Sequence, residues 1–187
     1  MTSFFCFLWL CCNIYTDKLI LRLEENKMKI ISEAMNGGII PDKYGKRGEL
    51  NSFGNPCLSV PFRIEDAPEG TVSYALVLDD IDSVPVCGFV WIHWIAAGIK
   101  DTDIPEGASA DADFVQGVNS CFSSIGKENS TGYIGMAPPD APHVYTLKVY
   151  ALDTDLDIKE GFFYNELMHA MEGHVLETAE VSGTYQN

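Results

Sequence analysis

The chain has 187 residues, 12 basic and 27 acidic side chains, a formal net charge of −15 and 47% apolar residues. This length suits one sizeable core, and the apolar share argues against disorder over most of the chain. So acidic a surface repels nucleic acid and anionic membrane, whose binding relies on Lys and Arg against phosphates, so neither is expected as a bulk partner. A small anion in a pocket stays compatible, because local donors outweigh distant, salt-screened charge.

Residues 1–27 hold three charges of each sign, so the whole acidic excess lies in residues 28–187. Phe4 to Ile14 is an apolar run of eleven residues, about half of what spans a bilayer. A secretory signal places Lys or Arg before such a run and small residues after it. Here the first basic residue is Lys18, and no Ala-x-Ala-like site follows Cys12. Residues 1–27 are therefore expected to be an extension outside the fold, and residues 28–187 one domain. The expected location is cytoplasmic, with export or membrane association as the alternative if residues 1–27 act as a signal. The six cysteines contain no Cys-x-x-Cys pair, and an odd three fall in the body of the chain. Reduced thiols are expected, not a disulfide framework.

From Met28 the chain reads as short apolar strands separated by Gly, Pro, Asn and Asp clusters. Strands are predicted over Met28–Ala34, Leu58–Ile64, Val72–Leu78, Trp91–Ala97, His143–Leu152 and Val175–Tyr185. In the third, Val72, Tyr74, Leu76 and Leu78 share one face and Ser73, Ala75 and Val77 the other, the pattern of a strand covered on both sides. One helix is predicted late in the chain, starting at Asp157 with Glu160 as a capping box, carrying Leu167, Met168 and Met171, and stopping at Gly173. The expected class is mainly β, a β-sandwich or barrel-like domain with helical decoration.

Two stretches carry the chemistry: Asp80-Ile81-Asp82 with Trp91-Ile92-His93-Trp94, and Gly132-Tyr133-Ile134-Gly135-Met136-Ala137-Pro138-Pro139 with His143-Val144-Tyr145. An imidazole on an apolar strand costs stability unless it finds a partner. Period-two alternation places Trp91, His93 and Ile95 on one face, and His143, Tyr145 and Leu147 on another. Asp80 continues the even-numbered face of its strand, and Asp82 matches it if the chain stays extended. Taken singly, each feature has an ordinary structural use: a satisfied core His, an Asp turn, a rigid Pro-Pro loop.

Their order resembles the phosphatidylethanolamine-binding protein family, also called Raf kinase inhibitor-like, and especially its bacterial branch. The family's Asp-Pro-Asp turn, His-aromatic strand, Gly-x-x-Pro-Pro loop and His-x-Tyr strand appear as Asp80-Ile81-Asp82, His93-Trp94, Gly135-Met136-Ala137-Pro138-Pro139 and His143-Val144-Tyr145. Glu172-Gly173-His174-Val175-Leu176 looks like the family's helix-to-strand ending. Ile81 stands where the family usually has Pro, Val144 where Arg is common, and Pro142 where glycine-rich spacing is usual.

The resemblance implies a two-sheet antiparallel β-sandwich-like domain with one or two short C-terminal helices, and a small cavity for phosphate-like or carboxylate anions, such as a phospholipid head group. Asp80, Trp91, His93, Gly135, Pro138, His143 and Tyr145 would line it, with Asp82 and Tyr133 as further candidates. The leading expectation is a non-enzymatic binding protein, since no nucleophile accompanies the histidines and no G-x-S-x-G elbow is present. The alternatives are a kinase or protease inhibitor-type interaction module, with a protein partner, and a His/Asp-dependent hydrolase or isomerase. A homodimer is a further expectation. No cofactor is expected, and no metal, because His169 and His174 are five apart where one helix face needs i, i+4.

Overall fold

In a computed structural model, residues 27–187 are described, so the expectation for the N-terminal extension falls almost wholly outside them. The domain is mainly β. Strands β1 (Lys29–Ile31), β2 (Phe62–Glu65) and β5 (Asp103–Ile104) form a three-stranded antiparallel sheet in the order β1-β2-β5. A larger antiparallel sheet orders β6 (Val115–Gln116), β4 (Trp91–Ile99), β3 (Ser73–Asp80), β7 (His143–Leu152) and β8 (Val175–Tyr185) as β6-β4-β3-β7-β8. Three short helices decorate them: α1 (Val84–Cys87), α2 (Phe122–Ile125) and α3 (Tyr164–Ala170). Among the described residues no helix is long and apolar enough to cross a membrane.

Strand β3 is the centre of the large sheet, and every residue of it is buried. Its Tyr74, Leu76 and Leu78 join the main core between the sheets, with Phe62, Trp94, Leu147 and Val149. Ala75 and Val77 face a second core closed by Phe162, Leu167 and Met171 around α3. The expected two-sided burial therefore has a distinct cover on each side. Strands β7 and β8 match their predicted spans, because long apolar-polar runs paired over ten rungs leave little freedom in where they start and stop.

Three expectations are corrected. The predicted first two strands become Lys29–Ile31 and Phe62–Glu65: Ser32 Oγ accepts the Ala34 and Met35 N–H groups and turns the chain after the first, and the second begins only after Pro61, which has no N–H to give a ladder. Helix α3 starts at Tyr164, not Asp157: the Glu166 carboxylate accepts the Phe163 N–H at 2.7 Å. Glu160 caps nothing there; its carboxylate accepts the Gln116 N–H at 2.6 Å, tying the approach to α3 to edge strand β6.

The third correction bears on the site. Along β4, Trp94 pairs with Leu78 but Ile92 pairs with Asp79, which leaves His93 as an extra residue in a β-bulge. Trp91 and His93 still share the face of Asp80, but strict alternation fails beyond them. Trp94 turns into the main core and Ile95 into the second core, away from the face predicted for it.

Candidate functional site

The site lies where β3 ends and β7 begins. Register places Asp80 opposite Tyr145 on β7 and opposite Trp91 on β4, so three neighbouring strands present side chains to one face. A cavity of about 290 Å³ opens there, at the small end of ligand pockets. Seven predicted residues line it: Asp80, Trp91, His93, Gly135, Pro138, His143 and Tyr145.

Asp80 and His143 form its buried polar core. The His143 Nδ1 donates to Asp80 Oδ2 at 2.8 Å, and the other Asp80 oxygen accepts the Ser83 N–H at 3.1 Å. On its far side His143 Nε2 donates to Asp140 Oδ1 at 3.0 Å. Carboxylates only accept, so an imidazole bonded to two of them carries both protons as a cation. Burial disfavours that charge, but the bonds and charges of Asp80 and Asp140 outweigh it and raise the His143 pKa above its ordinary value.

His93 is held differently. Its Nδ1 lies 2.8 Å from the carbonyl oxygen of Ile134, so that nitrogen must be the protonated one. Burial pushes its pKa down, more than the Ile134 carbonyl and the Asp80 and Asp79 charges raise it. The ring meets Tyr145 edge-on, with centroids 5.1 Å apart. Burial, with the nearby Asp80 carboxylate, drives the Tyr145 phenol pKa up, so it stays a neutral donor.

The bulge aims His93, and the turn after β3 aims Trp91. Ser83 Oγ lies 2.6 Å from the Asp80 carbonyl and accepts the Trp91 N–H at 2.9 Å, folding α1 back over the strand ends. Trp91 then stacks on Phe89 at 5.7 Å. Opposite, the loop with Gly135 and Pro138 closes the cavity. A Cβ at Gly135 would lie 2.3 Å from the Tyr44 carbonyl oxygen and 2.6 Å from Pro56, so only glycine lets this loop pack. Lys46 holds the loop's far end by donating to the Pro138 carbonyl at 2.7 Å.

Two candidates lie off the cavity lining. Asp82 sits beyond the strand in the turn, and its Oδ2 accepts the Val144 N–H at 2.9 Å. The chain does not stay extended after Asp80, so Asp82 pins the start of β7 instead. Tyr133 is buried one step behind the loop, where its hydroxyl donates to the Tyr44 carbonyl at 3.0 Å and its ring packs against Trp94. Sequence reasoning missed Asn55, Ser83, Cys87 and Cys121 in the lining, and Asp140 behind it. Only Ser83 and Asp140, each three residues from a site residue, had a local signal. Among the described residues no three His, Cys, Asp or Glu side chains are placed to hold a metal ion.

Comparison with known proteins bears on the family and the fold. The model of the family described as phosphatidylethanolamine-binding protein matches residues 31–186. The Bacillus subtilis protein YxkA is 41% identical over 150 residues, covering 75% of this chain and 89% of its own. A UPF0098 protein of Chlamydia muridarum is 37% identical over 165 residues, covering 85% and 99%. Among solved structures, the phosphatidylethanolamine-binding protein homologue CT736 of Chlamydia trachomatis superposes with a TM-score of 0.73 at 35% identity, covering 87% of this chain and 99% of that one. Escherichia coli YbcL, described as a member of the mammalian PEBP family, gives 0.70 at 25% identity, covering 86% and 99%. The chain belongs to the phosphatidylethanolamine-binding protein family.

Proposed function

We propose that the protein binds a small phosphate-like or carboxylate anion, free or as a phospholipid head group, in the cavity between Asp80, His93 and His143, and does not transform it. The observation that carries this reading is the convergence of two imidazoles, His93 and His143, on the wall of one small cavity. The His143 charge is balanced by the carboxylates that hold it, and the Asn55 amide and Tyr145 hydroxyl, in the same lining, can add neutral donors. Binding is favoured over turnover because neither imidazole engages a nucleophile among the described residues. His143 is bonded to two carboxylates and His93 to a carbonyl, so neither activates a hydroxyl or thiol. Cys57, Cys87 and Cys121 are free thiols, which suits the proposed cytoplasmic location.

Histidine NMR during titration with phosphate and phosphoethanolamine tests the reading. His93 and His143 should shift selectively, while the exposed His169 and His174, paired with Glu172 and Asp153, serve as internal controls. Equal movement of all four, or none, would overturn it. Hydrolysis of a phosphate ester that disappears in His93→Ala would replace it with the enzyme reading.

A further inference from the structure

The cavity has an unusual charge balance for an anion site. Asp80 and Asp140 carry two negative charges and His143 one positive, so the polar cluster, buried at Asp80 and His143 and open to solvent at Asp140, starts one charge negative. Among the described residues no Lys or Arg lines the cavity; the adjacent Lys46 is spent on the Pro138 carbonyl. Both His143 nitrogens are already bonded to carboxylates, so this ring has no free N–H for a ligand. His93 is the complementary case. It is 4% exposed and lines the cavity, its Nδ1–H is spent on Ile134, and its Nε2 has no hydrogen-bond partner among the described residues. In the neutral ring that Nε2 is a bare lone pair, which repels an anion.

We propose that this cavity binds an oxyanion and a proton together, the proton coming from solvent onto His93 Nε2 as the anion enters. The inference rests on the anion-binding reading above and deepens it by fixing the ligand's charge class. Protonation turns the one imidazole nitrogen at the cavity without a hydrogen bond from a lone pair into a charged donor and offsets a unit of the incoming negative charge. When the ligand leaves, the proton returns to solvent.

The groups around His93 set this coupling from every side. Asp79 and Asp80 approach from β3, Tyr145 and His143 from β7, the Ile134 and Gly135 backbone from the loop, and the Cys87 and Cys121 thiols line the same cavity from α1 and just before α2. The two carboxylates favour the extra proton and burial opposes it. With the cavity empty, burial prevails and the ring is neutral near neutral pH, which leaves room for a ligand to supply the difference. The ligand chemistry is shared by free oxyanions and phosphodiester head groups.

The test uses two probes that bring no proton of their own near neutral pH: inorganic sulfate, and glycerophosphoethanolamine as a soluble head group. Calorimetric titration of the full chain at about pH 7.5, in two buffers of different ionisation heat, counts the protons taken up. Uptake approaching one per ligand is expected, with affinity falling about tenfold per pH unit between about pH 7 and 8.5. Nitrogen-15 NMR should show the new proton on His93 Nε2. Uptake with sulfate supports a free oxyanion site, and uptake with glycerophosphoethanolamine alone supports a head-group site. Binding of either probe without uptake, without pH dependence, or with the proton on another residue overturns the proposal while sparing the anion-binding reading. No binding of either overturns both. In His93→Gln the amide offers a permanent N–H, so residual binding should lose its proton uptake. If that variant does not fold, the proton count on the unaltered chain decides alone.

Discussion

Replacing Asp80 by Asn should destabilise the protein far more at acidic than at alkaline pH. The Asp80 and His143 side chains are 5% and 4% exposed and 2.8 Å apart. At an effective dielectric of about 20 that separation corresponds to an attraction of about 6 kcal/mol, part of which offsets the cost of burying both charges. Removing the carboxylate leaves a buried imidazolium facing a neutral amide, a loss of about 3–5 kcal/mol. The sign follows from the direction of the shift. The folded-state pKa of His143 is raised, so its stabilisation is complete below the unfolded value near 6.5 and fades as pH rises through the folded value. At about pH 6 the full cost is therefore expected. Once pH has risen through the folded value the ring is neutral in both proteins, and the difference falls to about 1–2 kcal/mol, the worth of a weakened hydrogen bond. Urea unfolding of the unaltered protein and Asp80→Asn on both sides of that value measures this directly. Equal losses on the two sides, or none at pH 6, would refute the ion-pair account.

Asp140→Asn removes a carboxylate that is 57% exposed, so stability should change by less than about 1 kcal/mol. Phosphate affinity should nonetheless rise several-fold in calorimetry, because the variant removes negative charge beside the cavity while its amide oxygen can still accept the His143 Nε2 proton. Asp82→Ala should lose about 1 kcal/mol through the orphaned Val144 N–H, seen as a lower thermal midpoint, with phosphate affinity unchanged. Gly135→Ala should cost about 1–3 kcal/mol in the same assay, because the new methyl meets the Tyr44 backbone and the Pro56 ring.

Long, regular elements were legible before the structure. The faces of β3 follow from alternation alone, and so do the spans of β7 and β8, because their side chains are sorted by two cores with no irregularity along β3. The His143–Tyr145 face was correct for the same reason. What failed was local. The bulge at His93 has no mark in the sequence, since no residue type is needed to create it, and it moved Ile95 to the opposite core. Glu160 and Glu166 both sit plausibly at a helix start, and only the tertiary position of the Gln116 N–H decides which one caps. Asp82 and Asp80 are indistinguishable by type; the turn between them sends one into the cavity and the other to the Val144 backbone. Convergence of the four strand and loop segments on one cavity came through resemblance, because periodicity assigns faces but not neighbours.

The site divides into a floor and a rim with different tolerance for change. Asp80, His93, His143 and Tyr145 stand on the central strands, whose ladder is shared with the main core. Val86, Cys87, Cys121 and Pro139 belong to α1, the approach to α2 and the proline loop, none of which contributes a rung to that ladder. Substitutions in the rim can therefore reshape what enters the cavity without loosening the sheet, whereas any change in the floor is also a change in folding. Variation in ligand preference is thus cheapest at positions 84–90, 121–122 and 137–139, and a directed search for new specificity should begin there.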